Sequence, residues 1–114
     1  MKIAHYTDIP ADPVGEEGAE GVTVRWVIAK QDGAPNFSMR VFELQPGGYS
    51  PHHSHAWEHE VFVLKGSGAV VREGQDVPIS QGAVLFIPPD ESHQLKNTSE
   101  TETLEFICLI PNPE

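Results

Sequence analysis

The 114-residue sequence is poor in cysteine, in positive charge and in long apolar runs. With the single cysteine Cys108, the chain can form no internal disulfide and no cysteine-rich zinc site. Only 7 Lys and Arg stand against 17 Asp and Glu, which gives a formal net charge of −10, and the basic residues are scattered singly. Nucleic acids and anionic membrane surfaces both require clustered positive charge, so neither is an expected partner.

Apolar runs are equally scarce. None approaches the roughly 18 residues that would cross a bilayer, and the opening segment MKIAHYTDIPADP lacks the apolar core of a signal peptide. The length is close to the commonest domain size and leaves no room for a second core. We therefore expect one compact domain in a cytoplasmic protein.

Long amphipathic patterns of helical period are also missing, and short apolar and β-branched segments cut by Gly and Pro take their place. This pattern predicts an all-β chain, and short strands at such spacing close a barrel or a sandwich. The predicted strands are residues 22–29, 37–44, 49–55, 60–65, 69–72, 83–87, 93–96 and 103–110.

Residues 1–21 differ from the remainder. They are dense in Asp, Glu, Gly and Pro and have little periodic apolar content, so we interpret them as an N-terminal arm beside a barrel domain of residues 22–114. A small barrel exposes strand edges, and the arm could add a strand to a neighbouring subunit. We therefore expect a homodimer. His5, within the arm, is interpreted as incidental.

Four of the six histidines lie in two short segments, with His53, His55 and His59 in PHHSHAWEHE and His93 in PPDESHQLKN. Neutral imidazole is the commonest metal-binding side chain. On an extended strand, alternate side chains share a face, so His53 and His55 can point at one ion. His52 would then face away and is interpreted as a rim histidine. The clustering predicts a metal site.

Periodicity does not choose between the neighbours His59 and Glu60 as a ligand. On a strand, positions 59, 61 and 63 share one face, while positions 58, 60 and 62 share the other. Either side chain could reach the ion.

Residues 47–66 and 82–97 resemble the two sequence motifs of the cupin family. Asp90 departs from the pattern, because the family commonly has glycine there, but aspartate also accepts turn and left-handed backbone conformations. Two motifs in the right order and separation are more specific than either alone. The matching residues are Gly47, His53, His55, Glu60 and Gly66 or Gly68 in the first motif, and Gly82, Pro88, His93 and Asn97 in the second.

The resemblance implies a single cupin barrel, a double-stranded β-helix or jelly roll, with a metal inside its mouth. The segment HSHAWEHE, with APNFSMR upstream and FICLIP at the end, is similar to the sequences of small single-barrel cupins. Those cupins hold manganese through four histidines and are commonly dimers. The similarity implies one divalent ion per chain, with Mn favoured and Fe, Zn, Ni or Cu as alternatives. The implied ligands are His53, His55, His59 and His93, with Glu60 as an alternative ligand or as an acceptor that orients an imidazole.

The final predicted strand carries a second expectation, because residues 106, 108 and 110 share one face. The resemblance places Phe106, Cys108 and Ile110 toward the metal, in a mostly apolar pocket for a small-molecule substrate, with Arg40 as a polar contact. Alternative interpretations are core packing for Phe106 and Ile110, an inert buried thiol for Cys108, and an ion pair with a nearby Glu for Arg40.

Four protein ligands on an octahedral ion leave two positions for water or substrate. We therefore expect a metal-dependent, dioxygenase-like oxidoreductase. The alternatives are an isomerase or lyase in which the ion acts as a Lewis acid, and a non-catalytic module that binds or senses a small ligand, because the fold does not choose among them. Since only neutral imidazole binds metal, occupancy is predicted to fall below about pH 6.

Overall fold

The computed structural model describes residues 1–112 and is almost entirely β-structure, with two 3-10 helices at Tyr6–Asp8 and Lys30–Asp32. Pro113 and Glu114, the last two residues of the predicted barrel domain, lie outside the described residues. Within residues 1–112, no helix has the length and apolar content that crossing a membrane requires. The strands are β1 (Asp12–Pro13), β2 (Glu20–Ile28), β3 (Phe37–Tyr49), β4 (His59–Lys65), β5 (Ser67–Arg72), β6 (Gln75–Ser80), β7 (Val84–Ile87), β8 (Gln94–Asn97) and β9 (Leu104–Pro111).

These strands form one curled antiparallel sheet in the order β6-β5-β8-β3-β9-β4-β7, and β2 pairs with β3 beside this path. The first part of β3 pairs with both β2 and β9, whereas its last residue, Tyr49, pairs with Lys96 of β8. The register with β2 shifts in between, where Gly47 has a φ of 76°, a conformation that glycine adopts without strain. The long strand β3 thereby joins the two halves of the barrel, and the expected all-β single-barrel fold is confirmed.

Three strand assignments differ from the prediction, one of which is the two-residue strand β1 within the predicted arm. Residues 49–55 were expected to form a strand, but only Tyr49 belongs to β3, and His53 makes an isolated bridge with His93. Strand β6 was not predicted, because it is polar, mostly exposed and contains Pro78. It lies at the end of the sheet order, where a proline removes no hydrogen bond that a second neighbour needs.

The core consists of alternate apolar side chains that point into the barrel. Leu44, Val63 and Leu104 are completely buried. Gly68 is required for close packing, since a Cβ atom there would lie 2.1 Å from the carbonyl oxygen of Lys96. The inner faces of β2, β3, β4 and β9 then enclose a cavity rather than a solid core.

The predicted arm folds onto its own barrel. Strand β1 pairs with β2 of the same chain, and Val14 and Ala19 pack against the hydrophobic core. The Arg25 guanidinium, on the outer face of β2, donates hydrogen bonds to the carbonyl oxygens of Thr7 and Ile9. The expected exchange of the arm between subunits, and the homodimer with it, stay predictions.

Candidate functional site

The barrel encloses a cavity of about 880 Å³. Its wall is mostly apolar, with Val24 and Trp26 from β2, Phe42 from β3 and Phe106 from β9 among its members. Its polar side chains include four imidazoles, one guanidinium and one carboxylate. These are His53, His55, His59, His93, Arg40 and Glu16.

Backbone hydrogen bonds hold the two histidine-bearing segments against each other. The backbone N–H of His53 donates to the carbonyl oxygen of His93 at 3.1 Å, and the reverse bond measures 2.9 Å. The N–H of Asp90 donates to the carbonyl oxygen of His55 at 2.6 Å. Asp90 has a φ of 67°, so the left-handed conformation expected at this position is confirmed. Residues 50–58, between β3 and β4, form a segment that we call the histidine loop. It is therefore fixed by main-chain contacts and not by side chains alone.

Each of the four imidazole rings lies next to two of the others. Across residues 1–112, no three metal-ligating side chains already converge as a finished ligand cluster. The rings nevertheless lie side by side. If the rings rotated so that one nitrogen of each pointed inward, an ion about 2 Å from each of the four nitrogens would lie between them. The centroid distances are 4.2 Å for His53–His55, 5.4 Å for His55–His59, 4.9 Å for His59–His93, 5.1 Å for His93–His53 and 6.4 Å for the diagonal His55–His93.

The ring nitrogens fit a bound cation. Nδ1 of His53 and Nδ1 of His59 are buried, and neither has a hydrogen-bond partner among residues 1–112. A buried polar atom without a partner is costly and rare, which indicates a missing ligand. Nδ1 of His93 lies 3.0 Å from the carbonyl oxygen of Glu91. When Nδ1 donates that bond, Nε2 carries the lone pair that a metal requires.

The environment keeps the imidazoles of His53, His55 and His59 neutral. Burial is the main cause that lowers the pKa of each of these three histidines, and the positive charge of Arg40 adds to it. The pKa of His59 falls to about 3. Neutral imidazole is the form that binds metal. Because these three pKa values are lowered, we expect metal occupancy to fall at a lower pH than the value near 6 predicted from the sequence.

The structure brings His59, and not Glu60, together with the other histidines. His59 is only 6% exposed and lines the cavity. Glu60 is exposed on the outer face, where it lies in register between Phe86 and Leu109. The buried residue Val61 continues the inner face of the strand. Ligation by His59 is still a prediction, but Glu60 cannot reach the cavity without a change in the register of β4.

The four predicted pocket residues, Arg40, Phe106, Cys108 and Ile110, all line the cavity. Phe106, Cys108 and Ile110 are 3–5% exposed. Burial raises the pKa of the Cys108 thiol, which agrees with an unreactive sulfur. The alternative ion pair between Arg40 and a glutamate does not form among residues 1–112, and Nη2 of Arg40 instead donates to Sγ of Cys108 at 3.1 Å.

Sequence reasoning missed the contribution of the arm to the cavity. Val14 and Glu16 line it, and Oε2 of Glu16 lies 3.9 Å from Nδ1 of His53. The only sequence signal was Val14 in a polar segment, too weak to place the arm inside the barrel. Trp57, expected to pack or to lie at the rim, is 42% exposed and stacks on His55 at 4.4 Å. His52 is exposed, as expected of a rim residue.

Comparison with known proteins adds a family and several relatives. Residues 40–110 match the family model of the cupin domain. The solved structure of the polyketide cyclase RemF from Streptomyces resistomycificus is 37% identical, with a TM-score of 0.93, and the match covers 99% of this chain and 80% of that one. Auxin-binding protein 4 of Zea mays is 30% identical over 108 residues, which are 87% of this chain and 52% of that protein.

A shorter match links the chain to the oxalate-binding protein of Thermotoga maritima. The two are 41% identical over 69 residues, which are 60% of this chain and 56% of that protein. The chain thus spans about half the length of the curated relatives described here.

Proposed function

This chain belongs to the cupin family, and we propose that it is a metal-dependent cupin that closes a ring in a polyketide-type substrate, an apolar molecule with several carbonyl groups. The observation that carries the proposal is the set of four neighbouring imidazoles in a large, mostly apolar cavity. The similarity to a polyketide cyclase over 99% of the chain supports the reaction class.

Cupin domains commonly bind a metal ion. Here His53, His55, His59 and His93 would hold it, because their rings are adjacent and two of their buried nitrogens lack partners. A bound divalent ion supplies a Lewis acid that polarises a carbonyl oxygen. Ligation by nitrogen alone does not select the ion, so manganese remains favoured by resemblance, with iron, zinc, nickel and copper as the alternatives.

The size and lining of the cavity favour a bulky substrate. Ligand sites commonly measure about 300–1,000 Å³, so a cavity of about 880 Å³ is near the upper end of that range. Trp26, Phe42 and Phe106 offer aromatic surface to an extended apolar chain and exclude water from it. A two-carbon acid such as oxalate would leave most of this surface without a contact.

Ring closure needs a proton acceptor beside the substrate. A carbon between two carbonyl groups loses a proton and bonds to a carbonyl carbon of the same molecule, whose oxygen takes up that proton and becomes a hydroxyl. The same carbon then loses its second proton, the hydroxyl gains a proton and leaves as water, and a carbon–carbon double bond remains. Among the cavity-lining residues of the described chain, Glu16 is the one carboxylate. We propose that Glu16 accepts the proton from carbon, since it lies beside His53 at the histidine end of the cavity.

Three other functions remain as alternatives. The dioxygenase-like oxidoreductase requires oxygen as a second reactant, and no feature of the cavity selects such a reaction. A non-catalytic binding module is favoured by the similarity to an auxin-binding and an oxalate-binding protein. An isomerase, or a lyase that breaks a carbon–carbon bond, would share the Lewis-acid ion but not the loss of water.

The test is an assay of purified, metal-loaded protein with synthetic poly-1,3-ketones of increasing length. We expect products that have lost one water per molecule, with no oxygen uptake. The rate should fall about a hundredfold in Glu16→Gln and vanish in His59→Ala. Oxygen uptake with oxygenated products would support the oxidoreductase instead, and retention of the ketone without any product would support the binding module.

A further inference from the structure

Arg40 is the one guanidinium that lines the cavity of the described chain. It lies on β3 between two register partners, Trp26 on β2 and Cys108 on β9. Among residues 1–112 it takes part in none of the ion pairs, although the sequence contains 17 acidic residues. Its charge therefore faces the cavity without compensation.

The groups around Arg40 are neutral. Its Cζ atom lies 4.8 Å from the ring centroid of Phe42 and 5.3 Å from that of Trp26. Nη2 donates to the sulfur of Cys108, which is a weak acceptor, and burial keeps that thiol protonated by raising its pKa. Nε is buried and has no partner among the described residues. The aromatic faces orient the guanidinium but do not satisfy its donors.

Such an arrangement is costly unless a ligand completes it. The Arg40 side chain is partly buried and its Nε is fully buried, and a charge or a donor withdrawn from water without a partner is unfavourable. The carboxylate of the cavity, Glu16, lies beside His53 and forms no ion pair with Arg40. An acceptor from outside the chain is the remaining way to satisfy the guanidinium.

We propose that Arg40, Trp26 and Phe42 form a carboxylate-binding subsite, so that the molecule bound in the cavity is an apolar or aromatic acid. The inference deepens the proposed function, because it names an acidic group on the substrate of the same cavity. The planar guanidinium accommodates a carboxylate through two parallel hydrogen bonds, and the two rings contact the apolar atoms next to it. Anchored in this way, the acid leaves its other end free to extend along the apolar wall.

The test compares acids with their uncharged primary amides, for example 1-naphthylacetic acid with 1-naphthylacetamide and decanoic acid with decanamide. Affinity is measured by titration calorimetry on the metal-loaded protein, and metal content is determined for each variant. We expect wild-type protein to prefer each acid by about tenfold or more, since a hydrogen bond to a charged group has roughly that effect. Arg40→Met should bring acid and amide close to equal affinity, and Arg40→Lys should restore part of the preference.

Arg25→Met is the matched control. Arg25 lies on β2 next to Trp26 but faces outward, where its Nε is 3.7 Å from Oε1 of Glu43, so its removal should leave the preference intact. Should Arg40→Met fail to fold, Arg40→Gln and Arg40→Lys replace it, and both must weaken the preference.

Retention of the acid preference in Arg40→Met, with unchanged metal content, would overturn the proposal, because the ion or another group would then hold the carboxylate. Equal affinity of wild-type protein for acid and amide, or no binding of any acid at millimolar concentration, would overturn it as well. Binding requires no turnover, so a failure of the ring-closure assay leaves this result readable.

Discussion

Arg25 and Arg40 lie on neighbouring strands and face opposite sides of the same sheet. On the outer face, Arg25 is held by Glu43 and by carbonyl oxygens of the arm. On the inner face, Arg40 has only aromatic rings and a thiol around it. The outward guanidinium has a carboxylate and carbonyl oxygens of its own chain as neighbours, although its Nε lacks a hydrogen bond, whereas Arg40 has no ion pair among residues 1–112. We therefore propose that the function lies on the inner face.

The same contrast separates two consecutive residues of β4. His59 points inward, is buried and has an unpartnered Nδ1, whereas Glu60 points outward into solvent. The sequence alone does not show which of the two side chains faces the cavity, because that depends on which face of β4 is turned inward.

The largest effect is expected on metal content. His59→Ala removes an inner-face imidazole and should abolish near-stoichiometric metal binding, whereas Glu60→Ala on the outer face should retain it. Elemental analysis of protein purified without chelator or affinity metal measures both, and His53→Ala and His93→Ala should behave like His59→Ala. Loss of metal in Glu60→Ala alone would assign the ligand to the carboxylate and contradict the account.

The next effect concerns stability. Phe106 is 3% exposed and stacks on Phe42 with centroids 5.2 Å apart, so Phe106→Ala should lower the free energy of unfolding by about 3–5 kcal/mol. Phe62 is 44% exposed on the outer face, so Phe62→Ala should cost less than about 1 kcal/mol. Urea denaturation gives both values. Similar losses for the two variants would show that the outer face is covered in solution, for instance by a second subunit.

Acidification should weaken the metal-free fold through the inner-face histidines. The pKa of His59 is about 3 in the fold against an ordinary value of 6.5, so the unfolded chain takes up the proton first. The stability that the neutral imidazole contributes is therefore complete above about pH 6.5 and declines as the pH falls toward 3.

The measurement is urea denaturation of chelator-treated protein at about pH 7.5 and about pH 5. The loss of stability between these two conditions should be smaller in His59→Gln than in wild-type protein. It should be unchanged in His52→Gln, because His52 is exposed. An equal loss in all three proteins would mean that His59 is not responsible.

The smallest effect concerns the contact that holds the histidine loop against the inner face. Asp90 has a φ of 67° and donates its N–H to the carbonyl oxygen of His55. Asp90→Ala should lower stability by about 1 kcal/mol, because alanine accepts this conformation poorly, whereas Asp90→Gly should be neutral or slightly stabilising. Thermal unfolding distinguishes the two. If Asp90→Ala were more stable than Asp90→Gly, the left-handed conformation at residue 90 would not be what disfavours alanine.

Much of the fold could be predicted from the sequence, because alternation and turn residues mark β2, β3, β4 and β9 clearly. Strand β6 was missed since Pro78 and its polar neighbours resemble a loop, and only its position at the sheet edge makes the proline acceptable. Residues 49–55 were wrongly predicted as a strand. The histidine loop leaves the sheet there and returns only at the bridge between His53 and His93.

The candidate site was predictable in its residue types but not in its geometry. Histidine spacing and the motif resemblance indicated His53, His55, His59 and His93, and the structure places all four around one cavity. The choice between His59 and Glu60 depends on which face of β4 is inside, which no local pattern determines. Glu16 was missed because its place depends on the pairing of β1 with β2, a contact that polar residues of the arm do not signal.

We propose above that the inner-face imidazoles bind one divalent ion. Anomalous X-ray diffraction from crystals of the metal-loaded protein, collected at the absorption edge of the ion found by elemental analysis, tests it most directly. We expect a single strong peak within about 2.0–2.3 Å of nitrogen atoms of His53, His55, His59 and His93. A peak beside Glu60 or elsewhere on the outer face, or no peak in the cavity of metal-loaded protein, would contradict it.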